Sequence, residues 1–341
     1  MKLSMKTLPI FFTLLFLTMN VSGQVTFTRF ETGVINANDS NDKQPFGGIS
    51  GIENLGANNW ILVSDRGYYF NCDNCSTISD FQLRINQKEG TKTGHWFESI
   101  RFNRNTKTYY YATEYERKDN LGKSIEHTGV YESTGLIDTL VDIREKSIIH
   151  LDRLPSSNKG IEAIAITPSG ALWVAPEAGW KGETDVGQKY ISFYRYKDPS
   201  SSTERQEFKY PITRFPEAYF AEDKSGGISE ILAIDETHLL VLERCYISIA
   251  KDIEIALLRN VTVDEESREL IIDSKDAFNL NTVPGLCNVE GMAWGDDDKK
   301  TLYIIADDGY GETYYNDKKI RKTGLLEKPT LRNQLIILRR E

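Results

Sequence analysis

Histidine is scarce: the 341 residues hold four, and His95, His127, His150 and His238 stand singly along the chain. A zinc centre of clustered imidazoles has no support in that spacing. No Gly-x-Ser-x-Gly segment occurs, which removes the nucleophile elbow of the serine esterases. Beyond the amino terminus no apolar run approaches the roughly 20 residues a helix needs to span a bilayer. Positive charge is not in excess either, since 41 Lys and Arg face 50 Asp and Glu for a net charge of −9. Nucleic acid is excluded as a partner on that balance, because its phosphates are held by clustered Lys and Arg. An acidic surplus suits cations instead.

The amino terminus reads Met1-Lys-Leu-Ser-Met-Lys, then an apolar run from Leu8 to Met19, then the small residues Val21-Ser22-Gly23. That order is the pattern of an export leader cleaved near Gly23. Residues 1–23 are expected to be removed and residues 24–341 to form one domain outside the cytoplasm, secreted or periplasmic. No Cys marks the cleavage point, so a lipid anchor is not expected. Cys72, Cys75, Cys245 and Cys287 are an even set, which in an exported chain predicts two disulfides and leaves three connectivities open.

One paired motif recurs down the chain. It reads Gly48-Ile-Ser-Gly-Ile-Glu53 with Trp60-Ile-Leu-Val-Ser-Asp-Arg-Gly67, then Phe97-Glu-Ser-Ile-Arg-Phe102 with Tyr109-Tyr-Tyr-Ala-Thr-Glu114. It returns as Gly160-Ile-Glu-Ala-Ile-Ala-Ile166 with Ala171-Leu-Trp-Val-Ala-Pro-Glu177, and as Gly227-Ile-Ser-Glu-Ile-Leu-Ala-Ile234 with Leu239-Leu-Val-Leu-Glu243. The fifth copy is Asn288-Val-Glu-Gly-Met-Ala-Trp294 with Thr301-Leu-Tyr-Ile-Ile-Ala-Asp-Asp308. Two short apolar runs around a Gly, Asp or Asn turn are a hairpin signature. Further strand-like runs follow most pairs, such as Thr128–Ser133 with Leu136–Ile143, so four strands per unit are expected. The fold class predicted is all-β: a β-propeller of five detected four-stranded repeats, with a degenerate sixth left open. Strand-like segments at Val25–Val34 and Gln334–Arg339 are expected to close the ring by pairing in one blade. A two-sheet sandwich would not predict the same motif throughout.

In an antiparallel hairpin the start of the first strand lies beside the end of the second. Acids occupy both places. Glu98, Glu162, Glu230 and Glu290 stand at first-strand starts, with Ser50 in the matching part of unit one, and Asp65, Glu114, Glu177, Glu243 and Asp307 stand at second-strand ends. Gathered at one channel mouth, such carboxylates repel unless a cation offsets them. Calcium takes oxygen ligands of this kind without His or Cys. Glu98, Glu162, Glu230, Glu290 and Asp307 are therefore the candidate metal ligands, and Asp65, Glu177 and Glu243 the candidate catalytic acids. Arg66 and Arg244 follow two of these acids directly. They are candidate forks for a substrate phosphate or carboxylate, or they pack between blades, since adjacent strand residues point to opposite sides. Any one of the acids could instead cap a turn or pair with an Arg. The repetition at one strand end favours a function for the set. On the same face, Cys245 and Cys287 are placed to staple neighbouring blades, and Cys72 and Cys75 to close a local loop.

At Gly47-Gly-Ile-Ser-Gly with Ser64-Asp-Arg-Gly, Gly160-Ile-Glu-Ala-Ile with Leu172-Trp-Val-Ala-Pro-Glu, Gly227-Ile-Ser-Glu-Ile with Leu240-Val-Leu-Glu-Arg, and Asn288-Val-Glu-Gly with Ala306-Asp-Asp, the sequence resembles the exported phytase-like proteins described as having esterase-like activity of phytase. That resemblance implies a propeller hydrolase without fixing its substrate. The long acidic signature of calcium-dependent propeller phytases is not present. Two functions are expected in competition. One is a calcium-dependent hydrolase of small phosphoesters or other esters, acting as a monomer. The other is a non-enzymatic extracytoplasmic ligand-binding propeller with a structural calcium site, for which the Tyr-rich segments Tyr68-Tyr-Phe and Tyr314-Tyr315 would supply contacts.

Overall fold

The computed structural model describes residues 23–35, 46–85, 91–92, 96–113, 117–118, 124–126, 128–134, 147–149, 151, 153, 155, 159–181, 183, 190–199, 204–213, 227–246, 254–308 and 332–341. Residues 1–22 of the expected leader, Glu114, the strand expected at Leu136–Ile143, and Tyr314 and Tyr315 lie outside them.

The chain begins with β1 (Arg29–Val34). Unit one follows as β2 (Ile49–Gly56), β3 (Asn59–Ser64), β4 (Tyr68–Cys72), the helix α1 (Ile78–Ile85) and β5 (Thr91–Lys92). Unit two holds β6 (Phe97–Asn103), β7 (Thr108–Thr113), a small hairpin of β8 (Arg117–Lys118) and β9 (Ser124–Glu126), and β10 (Gly129–Thr134). Its main sheet has three strands among the described residues, in the order β10-β7-β6, where four were expected. Unit three is β11 (Ile161–Ile166), β12 (Leu172–Pro176), β13 (Ile191–Tyr196) and β14 (Arg205–Tyr210); unit four is β15 (Gly227–Ala233), β16 (His238–Tyr246), β17 (Glu254–Asp264) and β18 (Glu269–Phe278). Unit five has β19 (Val289–Trp294), β20 (Thr301–Ala306) and β21 (Gln334–Arg339), and takes β1 as its fourth strand in the order β1-β21-β20-β19. The expected pairing of the two ends is thus present, from Arg29 opposite Arg339 to Val34 opposite Gln334.

One joint was not foreseen. The outer strands β14 and β18 meet in parallel at Lys209 and Glu269, so units three and four share one eight-stranded sheet. Each edge thereby protects the other from stray pairing.

The architecture is all-β and propeller-like. Strand β2 packs on β6, β6 on β11, β11 on β15, β15 on β19, and β19 on β2. Buried apolar side chains form five clusters, each between two successive units. Strand alternation makes this division. Along β16, Leu239 and Val241 join Trp173 and Phe208 of unit three, whereas Leu240 and Leu242 join Met292 and Ile304 of unit five. Strands buried on both faces have no polar side to spare, which is why these segments read as near-continuous apolar runs.

Every inner strand carries the same irregularity. Pairing with the hairpin partner slips between Ile49 and Gly51, Phe97 and Ser99, Ile161 and Ala163, Ile228 and Glu230, and Val289 and Gly291. The extra residue of each bulge is Ser50, Glu98, Glu162, Ser229 or Glu290. A bulge bends its strand and re-aims the side chain it displaces. The next position is kept small where neighbours crowd it: a Cβ on Gly291 would lie 2.8 Å from the Ser50 carbonyl oxygen and 3.0 Å from the Gly51 Cα.

Between the inner strands the axis is plugged by charge. Arg101 of β6 reaches across to unit four, where Nη2 pairs with Glu230 Oε2 at 2.7 Å and donates to the Ile231 carbonyl at 2.9 Å. Its Nη1 lies 3.6 Å from Glu53 of unit one, and Ser99 Oγ donates to both Glu230 oxygens. Arg101 and Glu230 are buried. Burial pushes both Glu53 and Glu230 up to about 7, with Arg101 opposing the rise.

Two outcomes follow from this plug. Replacing Arg101 with Met strands a buried carboxylate at pH 8, where Glu230 is ionised, and should there cost about 3–5 kcal/mol of unfolding free energy in urea titration. The folded chain also holds protons on Glu53 and Glu230 that an unfolded chain, with Glu at its ordinary 4.5, has released. Their contribution is complete below pH about 4.5 and is lost as pH rises through about 7. The urea midpoint should therefore fall between pH 5 and 8, and fall less steeply in Glu53→Gln.

Candidate functional site

The mouth at which the inner strands begin carries two circuits of polar residues. The first consists of the bulge residues Ser50, Glu98, Glu162, Ser229 and Glu290. The second follows from backbone bonds that close each hairpin: Asp65 N donates to Gly48 O at 2.9 Å, Glu177 N to Gly160 O at 3.0 Å and Asp307 N to Asn288 O at 2.8 Å. Arg244, paired with Gly227, holds the corresponding place in unit four.

Unit four is therefore displaced by one residue from the acidic pattern expected of it. Glu230 sits one place past the bulge and turns into the axial plug, away from the other ring glutamates. Glu243 pairs with Ile228, one place before Arg244, and points into the interface with unit three. There its side chain is fully buried and accepts hydrogen bonds from the Tyr210 hydroxyl, from Thr213 N at 3.0 Å and from Thr213 Oγ1 at 3.1 Å. Burial raises its carboxyl and, together with the Glu243 charge, raises the Tyr210 hydroxyl well above its ordinary value. The signal was in the sequence: aligning Gly227-Ile-Ser-Glu-Ile on its two Ile residues, as in Gly160-Ile-Glu-Ala-Ile, puts Ser229 opposite Glu162.

The remaining residues sit as follows. Glu98, Glu162 and Glu290 are buried at the mouth. Arg244 spends its fork internally: Nε donates to Ser229 Oγ at 2.7 Å, Nη1 to Asn288 Oδ1, and Nη2 pairs with Glu290 Oε1 at 2.8 Å. Asn288 also donates to Glu290 at 2.9 Å and to Asp307 at 3.3 Å, which ties the two circuits together. Glu177 pairs with Lys159 at 3.1 Å. Arg66, half-exposed, lies 3.4 Å from Asp65 Oδ2, while Asp65 Oδ1 is buried with no hydrogen-bond partner among the described residues. Burial, and next the Asp308 charge, raise Asp65 to about 6 against the pull of Arg66. Asp308 was not singled out by its repeat position. It is buried, accepting from Gly48 N at 2.9 Å and Asn333 Nδ2 at 3.0 Å. Trp96, 43% exposed just ahead of β6, is a second rim residue outside the acidic pattern.

Among the described residues no three His, Cys, Asp or Glu side chains converge closely enough to hold a metal ion. The donor chemistry is that of calcium; the spacing in this arrangement is not.

Cys72 and Cys75 form the expected local disulfide. The second expected bridge is not made, and Cys245 and Cys287 are buried thiols. Alternation along β16 is the reason: Arg244 faces unit five, so Cys245 faces unit three with Glu243, while Cys287 Sγ lies 3.2 Å from the Arg332 carbonyl on the unit-five side. No helix among the described residues is long and apolar enough to cross a membrane.

The family described as phytase-like, esterase-like activity of phytase, matches residues 44–310. The chain belongs to this family. No curated protein matches the phytase-like chain. Among solved structures it is similar to a protein of unknown function from Bacteroides thetaiotaomicron VPI-5482, with TM-score 0.43 and 11% identity over 82% of this chain and 59% of that one. It is similar as well to a calcium-binding protein, regucalcin, from Agrobacterium tumefaciens, with TM-score 0.42 and 10% identity over 92% and 94% of the two chains. A glucose dehydrogenase gives TM-score 0.42 and 8% identity over 91% and 99%. Likeness at this level bears on no residue's role.

The enclosed Glu243 cluster supplies a test of the displacement. Tyr210→Phe removes one donor to a buried carboxylate and should cost about 1–3 kcal/mol in denaturant titration. Glu177→Gln, on the open rim, should cost less than about 1 kcal/mol.

Proposed function

We propose that this phytase-like chain is an exported hydrolase of small phosphoesters or other esters, a five-bladed closed propeller over residues 24–341 that works at the acidic mouth. The observation that carries the reading is the bulge repeated in all five inner strands, whose extra residue is an acid in three of them, Glu98, Glu162 and Glu290, at the strand end where Asp65 also stands. Asp65 is the general base. Its raised carboxyl takes a proton from water as the water oxygen bonds to phosphorus or to the acyl carbon. The ester bond to the leaving oxygen then breaks, and that oxygen leaves as the alcohol on taking a proton from solvent. Arg66 stands beside the base, exposed enough to meet an anionic substrate oxygen. Arg244, already committed to Ser229, Asn288 and Glu290, positions the acids and does not bind substrate. Glu98, Glu162 and Glu290 are carboxylates of the kind calcium takes, and they would hold it only by drawing closer together than they stand here; no step above passes through it. Cleavage near Gly23 and a monomeric state belong to the same reading.

A second reading has its own support. The internal commitment of Arg244 and Glu243 suits a ligand-binding propeller in which the acids are structural.

Mature protein should hydrolyse members of a phosphoester and carboxylic ester panel, with activity falling as pH drops through about 6. Asp65→Asn should lower kcat by 100-fold or more and abolish that limb. Calorimetric titration should show calcium binding that a Glu162→Gln, Glu290→Gln double variant loses. Calcium binding without turnover of any panel member would favour the ligand-binding reading.

A further inference from the structure

The axial plug has a second side. Below it, where the hairpin turns gather, lies a cavity of about 240 Å³ to which all five units contribute. Glu53 of unit one and Arg101 of unit two belong to its lining, with Ile166, Leu232, Ala233 and Trp294 from the other three. The hydrogen bonds of Arg101 leave a donor over. Nη1 donates to the Ile100 carbonyl and Nη2 to Ile231 and Glu230, whereas Nε is buried with no acceptor among the described residues, on a residue only 4% exposed. That nitrogen has almost no accessible surface, so the plug floors the cavity, and the polar groups a ligand meets belong to the wall, among them Asn103, Asn105 and Thr167.

We infer that this opposite mouth is a second ligand site, taking a small uncharged molecule with hydroxyl or carbonyl oxygens on a carbon ring, of about monosaccharide size. Charge argues for neutrality. The three acids of the lining, Glu53, Asp296 and Asp297, are balanced by Arg101, Arg104 and Lys299, which leaves no net charge to attract an ion. The walls argue for the ring. Trp294 holds its indole by a 3.1 Å bond from Nε1 to the Ala233 carbonyl, and with Leu232, Ala233 and Ile166 it offers an apolar side on which the C–H face of a ring can lie. Ligand sites combine such walls with placed polar groups, and the Asn103, Asn105 and Thr167 side chains of the lining would be those groups. This site is independent of any reaction at the acidic mouth.

The test uses the mature chain with methyl α-D-glucopyranoside, methyl α-D-galactopyranoside and methyl α-D-mannopyranoside as probes. Binding is followed by saturation-transfer NMR and by tryptophan emission, with Trp294→Phe identifying the reporting indole. At least one probe should bind saturably, at least tenfold more weakly in Ala233→Phe, which fills the cavity, and unchanged in Glu162→Gln. Asn105→Trp, at the exposed rim, should block entry as well, and serves if Ala233→Phe does not fold. Three results would each overturn the inference: no saturable binding of any probe, binding retained in a folded blocking variant, or binding lost in Glu162→Gln, which would place the probe at the acidic mouth.

Discussion

The pairing of Arg101 with Glu230 is the interaction on which the rest of the arrangement depends. Inner strands set around an axis leave a central channel between them. Here three units fill it with ions. A buried pair gains little net stability over a well-packed apolar alternative, because desolvation offsets most of the attraction. Its effect lies in direction. A guanidinium bonded to Glu230 Oε2 and to the Ile231 carbonyl fixes how unit two faces unit four, though unit three stands between them. Nonadjacent units are thereby held in register without sharing a sheet.

The bulges act on the other side of that plug. An unbroken antiparallel ladder would alternate side chains strictly between the two flanking interfaces, leaving none for the axis. One extra residue in each inner strand breaks the alternation once per unit, and it does so where the acids stand. The mouth is acidic in four units and basic in the fourth, where Arg244 takes the place of an acid and binds Ser229, Asn288 and Glu290. This asymmetry distinguishes one side of the opening from the rest.

The hairpins were legible in the sequence because paired apolar runs around turn residues have few other solutions, and the union of Arg29–Val34 with Gln334–Arg339 followed from strand-like ends. What escaped was finer than a strand. Comparing the units by their acids concealed a one-residue displacement in unit four, which the spacing of Ile228 and Ile231 would have exposed. Arg101 stands at a repeat position shared with Glu53, Ala165, Leu232 and Ala293, so no recurrence marked it. The Cys245 and Cys287 bridge failed because proximity along a strand says nothing of side, and the joint of β14 with β18 has no sequence signature at all. Asp308 escaped for a related reason, since its role arises from Gly48 and Asn333, far apart in the chain.

The shared sheet of unit five sets the timing of assembly. Arg29 and Arg339 are partners, and Val25 is held further on by two hydrogen bonds with Asn260. A chain that emerges amino terminus first must keep its earliest strand unmatched until its latest strand appears. Contacts of such long sequence separation are slow to form. The other four sheets can gather while the last waits, and Gln334–Arg339 would meanwhile present a bare edge to any passing strand. Final closure is thus the step most open to domain exchange between copies and most in need of dilution or a chaperone.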